Sequence, residues 1–185
     1  MELSKTAYVI LGMIALGKRT GYEIKSLVDV STRFFWAASY GQIYPELGRL
    51  EELGLITGEA DLSDGRKRRA YELTAAGKET LREWLTSSEP LHMELRHEGA
   101  LKFFFSGALP EDERTTALRQ MRAEHERMLE QLRAFQHIKP ARDDGELSFP
   151  SMTLEWGIAY QEFMIDWCSR TERQLRVSEP AGRET

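Results

Sequence analysis

The stretch SYGQIYPELGRLEELGLI, residues Ser39 to Ile56, starts badly for a helix and ends well. Leu47, Leu50, Leu53 and Ile56 recur every third residue, the spacing of one buried helical face running into a turn. Ser39 is placed as an N-cap, and Gly54 as the stop. Yet Gly41 and Pro45 stand in the first two turns, where each costs helix stability. A glycine, a proline and two tyrosines at the front of an otherwise good helix read as an end shaped to meet a partner. Gly41 keeps that front thin. Pro45 withholds the N–H that would bond the Gly41 carbonyl, leaving that oxygen for water or a partner at the cost of a slight bend. A competing reading packs Tyr44 into the core and leaves Pro45 only to set the bend.

Outward from this helix, the first half of the chain divides into short units. Ser4 caps KTAYVILGMIAL, a short apolar helix that Gly17 ends. GYEIKSLVDVSTRFF, residues 21–35, reads as the next helix, with Tyr22, Ile24, Leu27 and Val28 on its apolar face and Lys25 and Asp29 outside. After the helix begun at Ser39, LITGEADL and RRAYELT read as two strands around the turn SDGR, where Asp64-Gly65 is a strong hairpin signal. Thr74 caps a further helix, AAGKETLREWLTSS, and Pro90 marks a boundary. Three helices followed by a two-stranded hairpin is the order of a winged helix, a helix-turn-helix variant whose third helix enters the DNA major groove.

The second half is helical. ELRHEGALKFFFSG is a short helix ended by Gly107. LPEDERTTALRQMRAEHERMLEQLRAFQHI, residues 109–138, is a long one with Pro110 at its start. Leu118, Met121, His125, Met128, Leu132 and Phe135 trace a stripe along it at spacings of three and four, as in a packed helical seam. KPARDDGELSFPS is a polar loop, MTLEWGIAYQEFMIDWCSRTERQLR the last long helix, and VSEPAGRET a frayed tail. The expected fold is therefore mostly α with a small β-hairpin wing. Residues 1–89 are expected to form a winged helix-turn-helix DNA-binding domain, 90–177 a helical domain and 178–185 a flexible tail.

Composition narrows the classes. The 185 residues hold 41% apolar and 30% charged side chains, as in a helix-rich globular protein. One cysteine, Cys168, excludes an internal disulfide and leaves no thiolate cluster for zinc. The apolar start lacks a cleavage signature, and no apolar run reaches the ~18 residues needed to span a bilayer. The chain is expected in the cytoplasm, with no membrane partner. The net charge of −5 argues against nucleic acid only if charge is read as a total. GRKRR places four consecutive cations, Arg66 to Arg69, in the hairpin, and salt screens charges more than about 8–10 Å away. His92, His97, His125 and His137 show no metal spacing. No phosphate loop, zinc-protease motif or nucleophile elbow is present, so neither a metal, a cofactor nor an enzyme is expected.

The segments GYEIKSLV, SYGQIYPELGRLEELGLI and DGRKRRAYELTAAGKETLREWL, with the long helical tail, together resemble the PadR family of transcriptional regulators. The resemblance runs over about residues 4–175 and is most specific in GQIYPELGRLEELGLI followed by GRKRRAYELTAAG. LKFFFSG and LEWGIAYQEFMIDW resemble its longer branch, whose C-terminal helices form the dimer. The resemblance implies a winged-helix repressor. Some members respond to phenolic acids or to hydrophobic drug-like cations.

The residues offer matching chemistry. Ser39, Tyr40, Gln42 and Tyr44 are the candidates for the major groove. A Gln amide pairs bidentately with adenine, and hydroxyls reach bases or phosphates. Arg66, Lys67, Arg68 and Arg69 are candidates for phosphate contact, although alternation along a strand keeps all four from sharing one line. Lys5, Lys18, Arg19 and Lys25 are weaker candidates. Trp156, Tyr160, Phe163 and Trp167 share one face of the last helix, read first as a dimer and core seam. A sharper reading makes Phe104, Trp156, Tyr160 and Phe163 the lining of an effector cavity. The function expected is a sequence-specific DNA-binding repressor, dimeric on an inverted-repeat operator and released by a small hydrophobic or aromatic effector. The alternative is a winged-helix protein-interaction module with no operator.

Overall fold

The computed structural model describes residues 3–61, 68–91, 93, 95–136 and 148–177. The chain forms two compact units, residues 1–91 and 92–185. The Asp64-Gly65 turn, Arg66, Lys67, most of the polar loop and the tail at 178–185 lie outside the described residues.

In the first unit, α1 (Lys5–Ala15), α2 (Gly21–Val30) and α3 (Tyr40–Glu52) precede an antiparallel hairpin of β1 (Ile56–Asp61) and β2 (Arg68–Leu73), then α4 (Ala75–Thr86). The helix starts follow their side-chain caps. Ser4 Oγ accepts from the Ala7 N–H at 3.0 Å. Thr20 and Glu23 form a reciprocal capping box. Thr74 Oγ1 accepts from the Gly77 N–H at 3.0 Å and donates to the Gly54 carbonyl at 2.8 Å. Ile10, Leu11, Ile24, Val28, Ile43, Leu47, Leu50 and Ile56 close one core among α1, α2, α3 and the hairpin. The hairpin register runs from Ile56 opposite Leu73 to Asp61 opposite Arg68. The Tyr71 N–H donates to the Arg19 carbonyl, which ties the α1–α2 turn to the free edge of β2.

Several boundaries depart from the sequence reading. α2 ends at Val30, and a 3-10 turn takes Thr32–Phe34. Ser31 Oγ donates to the Leu27 carbonyl, competing with the helix for that acceptor. Tyr22 is exposed, because it lies well around the helix from Ile24 and Val28. The three-residue repeat in the opening stretch also divides. Leu47 and Leu50 are buried on α3, Leu53 is partly exposed at its end, and Ile56 opens β1. Gly54 makes the stop at φ +67°, the left-handed region that glycine enters without strain. At Gly77 a Cβ would stand 1.9 Å from the Leu55 carbonyl oxygen, so the first turn of α4 packs directly on backbone.

In the second unit, α5 (Glu98–Phe104) leads through 3-10 turns at Ser106–Ala108 and Glu111–Glu113 to α6 (Thr116–Gln136), and α7 (Phe149–Val177) packs along α6. The long helix expected from Leu109 therefore begins only at Thr116. Arg114 Nε donates back to the Leu109 carbonyl at 3.0 Å and holds the intervening turn. Leu118, Met121 and Cys168 form the centre of this unit, flanked by Phe103, Trp167 and Leu175. Of the expected α6 stripe, Leu118, Met121, His125 and Leu132 are buried, while Met128 and Phe135 are half-buried.

Candidate nucleic-acid interface

The front of α3 is open. Ser39, Gly41, Gln42 and Pro45 are exposed, Tyr40 is 45% and Tyr44 51% exposed. The reading that buries Tyr44 in the core does not hold. Its ring leans instead on the start of α2, where a Cβ on Gly21 would come within 2.7 Å of Tyr44 Cε1. Tyr40 stacks on Tyr44, ring centroids 6.0 Å apart and 17° from parallel. Lys25 Nζ lies 5.2 Å from the Tyr40 ring centroid and pairs with Asp29. Gln42 has a local task as well. Its Oε1 accepts from the Ser39 N–H at 2.9 Å and from Ser39 Oγ–H at 3.1 Å, the side-chain arm of a capping box.

The hairpin is more divided than its string of cations. Arg66 and Lys67 lie outside the described residues, and Arg68 is placed as the strand partner of Asp61. Arg69 turns back onto Glu51 at the end of α3, and Glu51 Oε1 also accepts from the Gly58 N–H at 3.1 Å. One carboxylate thus ties both strands to the last turn of α3. The period of a strand held this information, since Arg69 and the buried Tyr71 share a face.

The second unit brings together groups that the sequence kept apart. His97 and His125 meet with their Nε2 atoms 3.2 Å apart. His97 Nδ1 accepts from the Ala100 N–H, which leaves the ring proton on Nε2 to face His125 Nε2. His125 Nδ1–H then donates to Gln161 Oε1 at 2.6 Å. This relay links the N-cap of α5 to α6 and α7 with one consistent set of tautomers. Further along, the buried Glu172 of α7 receives Arg119 Nε at 2.8 Å, Arg122 Nη1 at 3.1 Å and Arg176 Nη2 at 2.8 Å. The hydrogen bond from Arg119, joined by Arg176, holds the Glu172 carboxyl below the usual carboxylate range against the cost of burial. Among the described residues, no three His, Cys, Asp or Glu side chains converge as metal ligands.

The aromatic residues divide as well. Phe104 is 80% exposed and its ring meets Phe105, whereas Phe103 reaches Trp167. Trp156 and Phe163 are each 56% exposed. Tyr160 stacks against Trp156 and sets its ring edge-to-face with His125. A shallow groove beside α5 is lined by Leu101, Lys102, Phe105, Leu109, Ala117 and Gln120. None of Phe104, Trp156, Tyr160 and Phe163 lines it, so this groove is not the cavity expected from the sequence.

Three helices, a hairpin and an open third-helix front define a winged helix-turn-helix domain, here joined to a helical C-terminal unit. The model of the transcriptional regulator PadR-like family matches residues 10–83, and that of the virulence activator alpha C-terminal family matches residues 95–176. Residues 10–83 place the N-terminal unit in the PadR-like family of transcriptional regulators. The negative transcriptional regulator PadR of Bacillus subtilis (strain 168) is 35% identical over 107 residues, 57% of this chain and 59% of that protein. The chain therefore matches less than two thirds of that relative's length in sequence. The crystal structure of Bacillus subtilis PadR in complex with operator DNA has a TM-score of 0.83 at 24% identity, covering 93% of this chain and 99% of that one. The structure of the same protein in complex with p-coumaric acid has a TM-score of 0.74 at 26% identity, covering 92% and 94%. Among the described residues, no helix is long and apolar enough to cross a membrane.

Proposed function

We propose that the protein is a dimeric, cytoplasmic repressor that reads an inverted-repeat operator through the front of α3. The observation that carries this is the exposure of Tyr40, Gln42 and Tyr44 in the first two turns of the third helix of a winged-helix domain. The basic hairpin docks on phosphates, which position without reading, while Gln42 and the tyrosines meet base edges. Residues 1–89 serve as the DNA-binding domain and 90–177 as the dimerisation domain. Support for a second copy comes from the exposed Phe104, Trp156 and Phe163, apolar area that a soluble unit leaves open only to cover it in an assembly. Two-fold symmetry then sets two recognition helices one helical turn of DNA apart, which requires an inverted repeat.

Release follows from an effector that binds better to a dimer with a different spacing of those helices. The relative crystallised with p-coumaric acid supports a small aromatic effector here, with Trp156 and Tyr160 as its candidate contacts. Selection of bound fragments from genomic DNA, followed by affinity measurements across a salt series, tests the reading. Enriched palindromic fragments and a steep salt slope are expected. A protein that enriches no fragment and binds duplex DNA without salt dependence is instead a protein-interaction module.

A further inference from the structure

Lys25 is on a helix facing the proposed DNA site, yet it is not built as a phosphate contact. Its side chain is only 12% exposed, and its ammonium is spent on Asp29 and on the face of Tyr40. Asp29 is itself shared with Arg33, whose Nη1 lies 3.8 Å from Asp29 Oδ1. Behind the first ring comes a second, Tyr44, and behind that the bare backbone of Gly21. Cation, ring, ring and glycine form one chain of contacts that leaves α2 at Lys25, crosses Tyr40 and Tyr44 of α3 and returns to α2 at Gly21. A phosphate-binding lysine has its head in water. A tyrosine in the first turn of an exposed helix samples several rotamers unless something holds it.

We infer that Lys25, held by Asp29, is a positioning residue that fixes Tyr40, and through it Tyr44, in the orientation used to read DNA. The inference rests on the function proposed above. Its physical content is preorganisation: the ordering that a floppy tyrosine would undergo on binding is already complete in the free protein. Gly21 belongs to the same device, because any side chain there displaces the Tyr44 ring. Specificity is then set partly by α2 residues that never touch a base.

The test uses the full-length protein and the variants Lys25→Met, Lys25→Arg, Tyr40→Leu and the Lys25→Met/Tyr40→Leu pair, with folding checked by circular dichroism. Side-chain NMR of the free protein reports whether the Tyr40 ring keeps one rotamer, and titrations report the operator-to-random affinity ratio and the salt slope. Lys25→Met is expected to let the Tyr40 ring average. It should also lower the operator-to-random ratio about tenfold, the scale of a largely desolvated cation–π contact, with the slope unchanged. Lys25→Arg should restore both, and Lys25→Met should add nothing to Tyr40→Leu. A slope reduced by about one unit with the ratio intact would make Lys25 a phosphate contact and overturn the inference. So would an unaltered Tyr40 ring, or fully additive effects in the double variant. A ring that loosens in a protein whose wild type prefers no DNA fragment would sink the DNA reading and leave the stack standing.

Discussion

Gln42 shows how much one residue can carry. Its amide oxygen caps α3 in the free protein, and an adenine contact would draw on the same amide. The two tasks separate by substitution. Gln42→Glu keeps an acceptor for the Ser39 N–H and removes the donor that adenine needs. It should preserve the melting temperature while losing about 1–3 kcal/mol at the preferred site beyond the uniform loss that its new negative charge imposes on every duplex. Gln42→Ala should lose the cap as well, at about 0.5–2 kcal/mol of stability. Base preference measured on single-substitution operators decides it, and an unchanged preference in both variants would move the reading to Tyr40 or to DNA shape. A second residue, Glu172, predicts a pH effect. Its folded pKa lies below its ordinary unfolded value, because Arg119 and Arg176 hold the carboxylate. The Arg119–Glu172–Arg176 network therefore stabilises fully above that value and is lost as pH falls through the folded pKa. Thermal melts from pH 7 to pH 3 should fall more steeply for the wild type than for Glu172→Gln, and parallel curves would remove Glu172 from the acid response.

At the scale of elements, what the sequence disclosed was local. Ser4, Ser39, Thr74 and Gly54 act within one turn of themselves, and the structure places each at a helix boundary as read. What it concealed depends on partners distant in sequence. α2 stops early because a serine hydroxyl takes a helix carbonyl, a local competition that the apolar period overrode. Arg69 reads as one of four alike cations until Glu51, eighteen residues earlier, is brought beside it. The same holds for the histidines. Spacing along the chain separates His97 from His125, and only the packing of α5 on α6 joins them. That relay makes a prediction for the helical unit. Gln161→Leu leaves the His125 Nδ1–H without its acceptor in a buried site, so it should destabilise by about 1–3 kcal/mol. Urea unfolding monitored by Trp156 and Trp167 fluorescence checks it, and an unchanged midpoint would show that water satisfies that donor.

For the whole molecule, the decisive quantity is the apolar surface of the helical unit. Phe104, Phe105, Met152, Trp156 and Phe163 are all at least half exposed in the single chain. Sedimentation at micromolar concentration should give a dimeric mass. Trp156→Lys with Phe163→Lys should give a monomer that keeps its helical content and loses operator affinity by far more than its random-DNA affinity. A wild-type monomer would leave that face without the partner assigned to it. The expectation of a dimer rests on the aromatic spacing on α7 and on family likeness, whereas the residues holding the second unit's own helices together, Glu172 and the histidine relay, were not legible in the sequence.

The tie between Glu51 and Arg69 has a consequence for life among a genome's competing sites. A regulator must leave wrong sites quickly, and roughly 10⁶–10⁹ of them dilute it. An arginine neutralised within the fold adds nothing to this indiscriminate adhesion. Glu51→Gln would release it, steepening the salt slope on random DNA by about one unit while operator affinity gains less. The variant would grip more and find its target more slowly, with weaker silencing of a reporter in the cell despite tighter binding in the tube. If random-DNA affinity does not rise, the released arginine does not reach the phosphates. Promiscuity would thus be one substitution away, at a residue whose work is to keep a neighbour occupied.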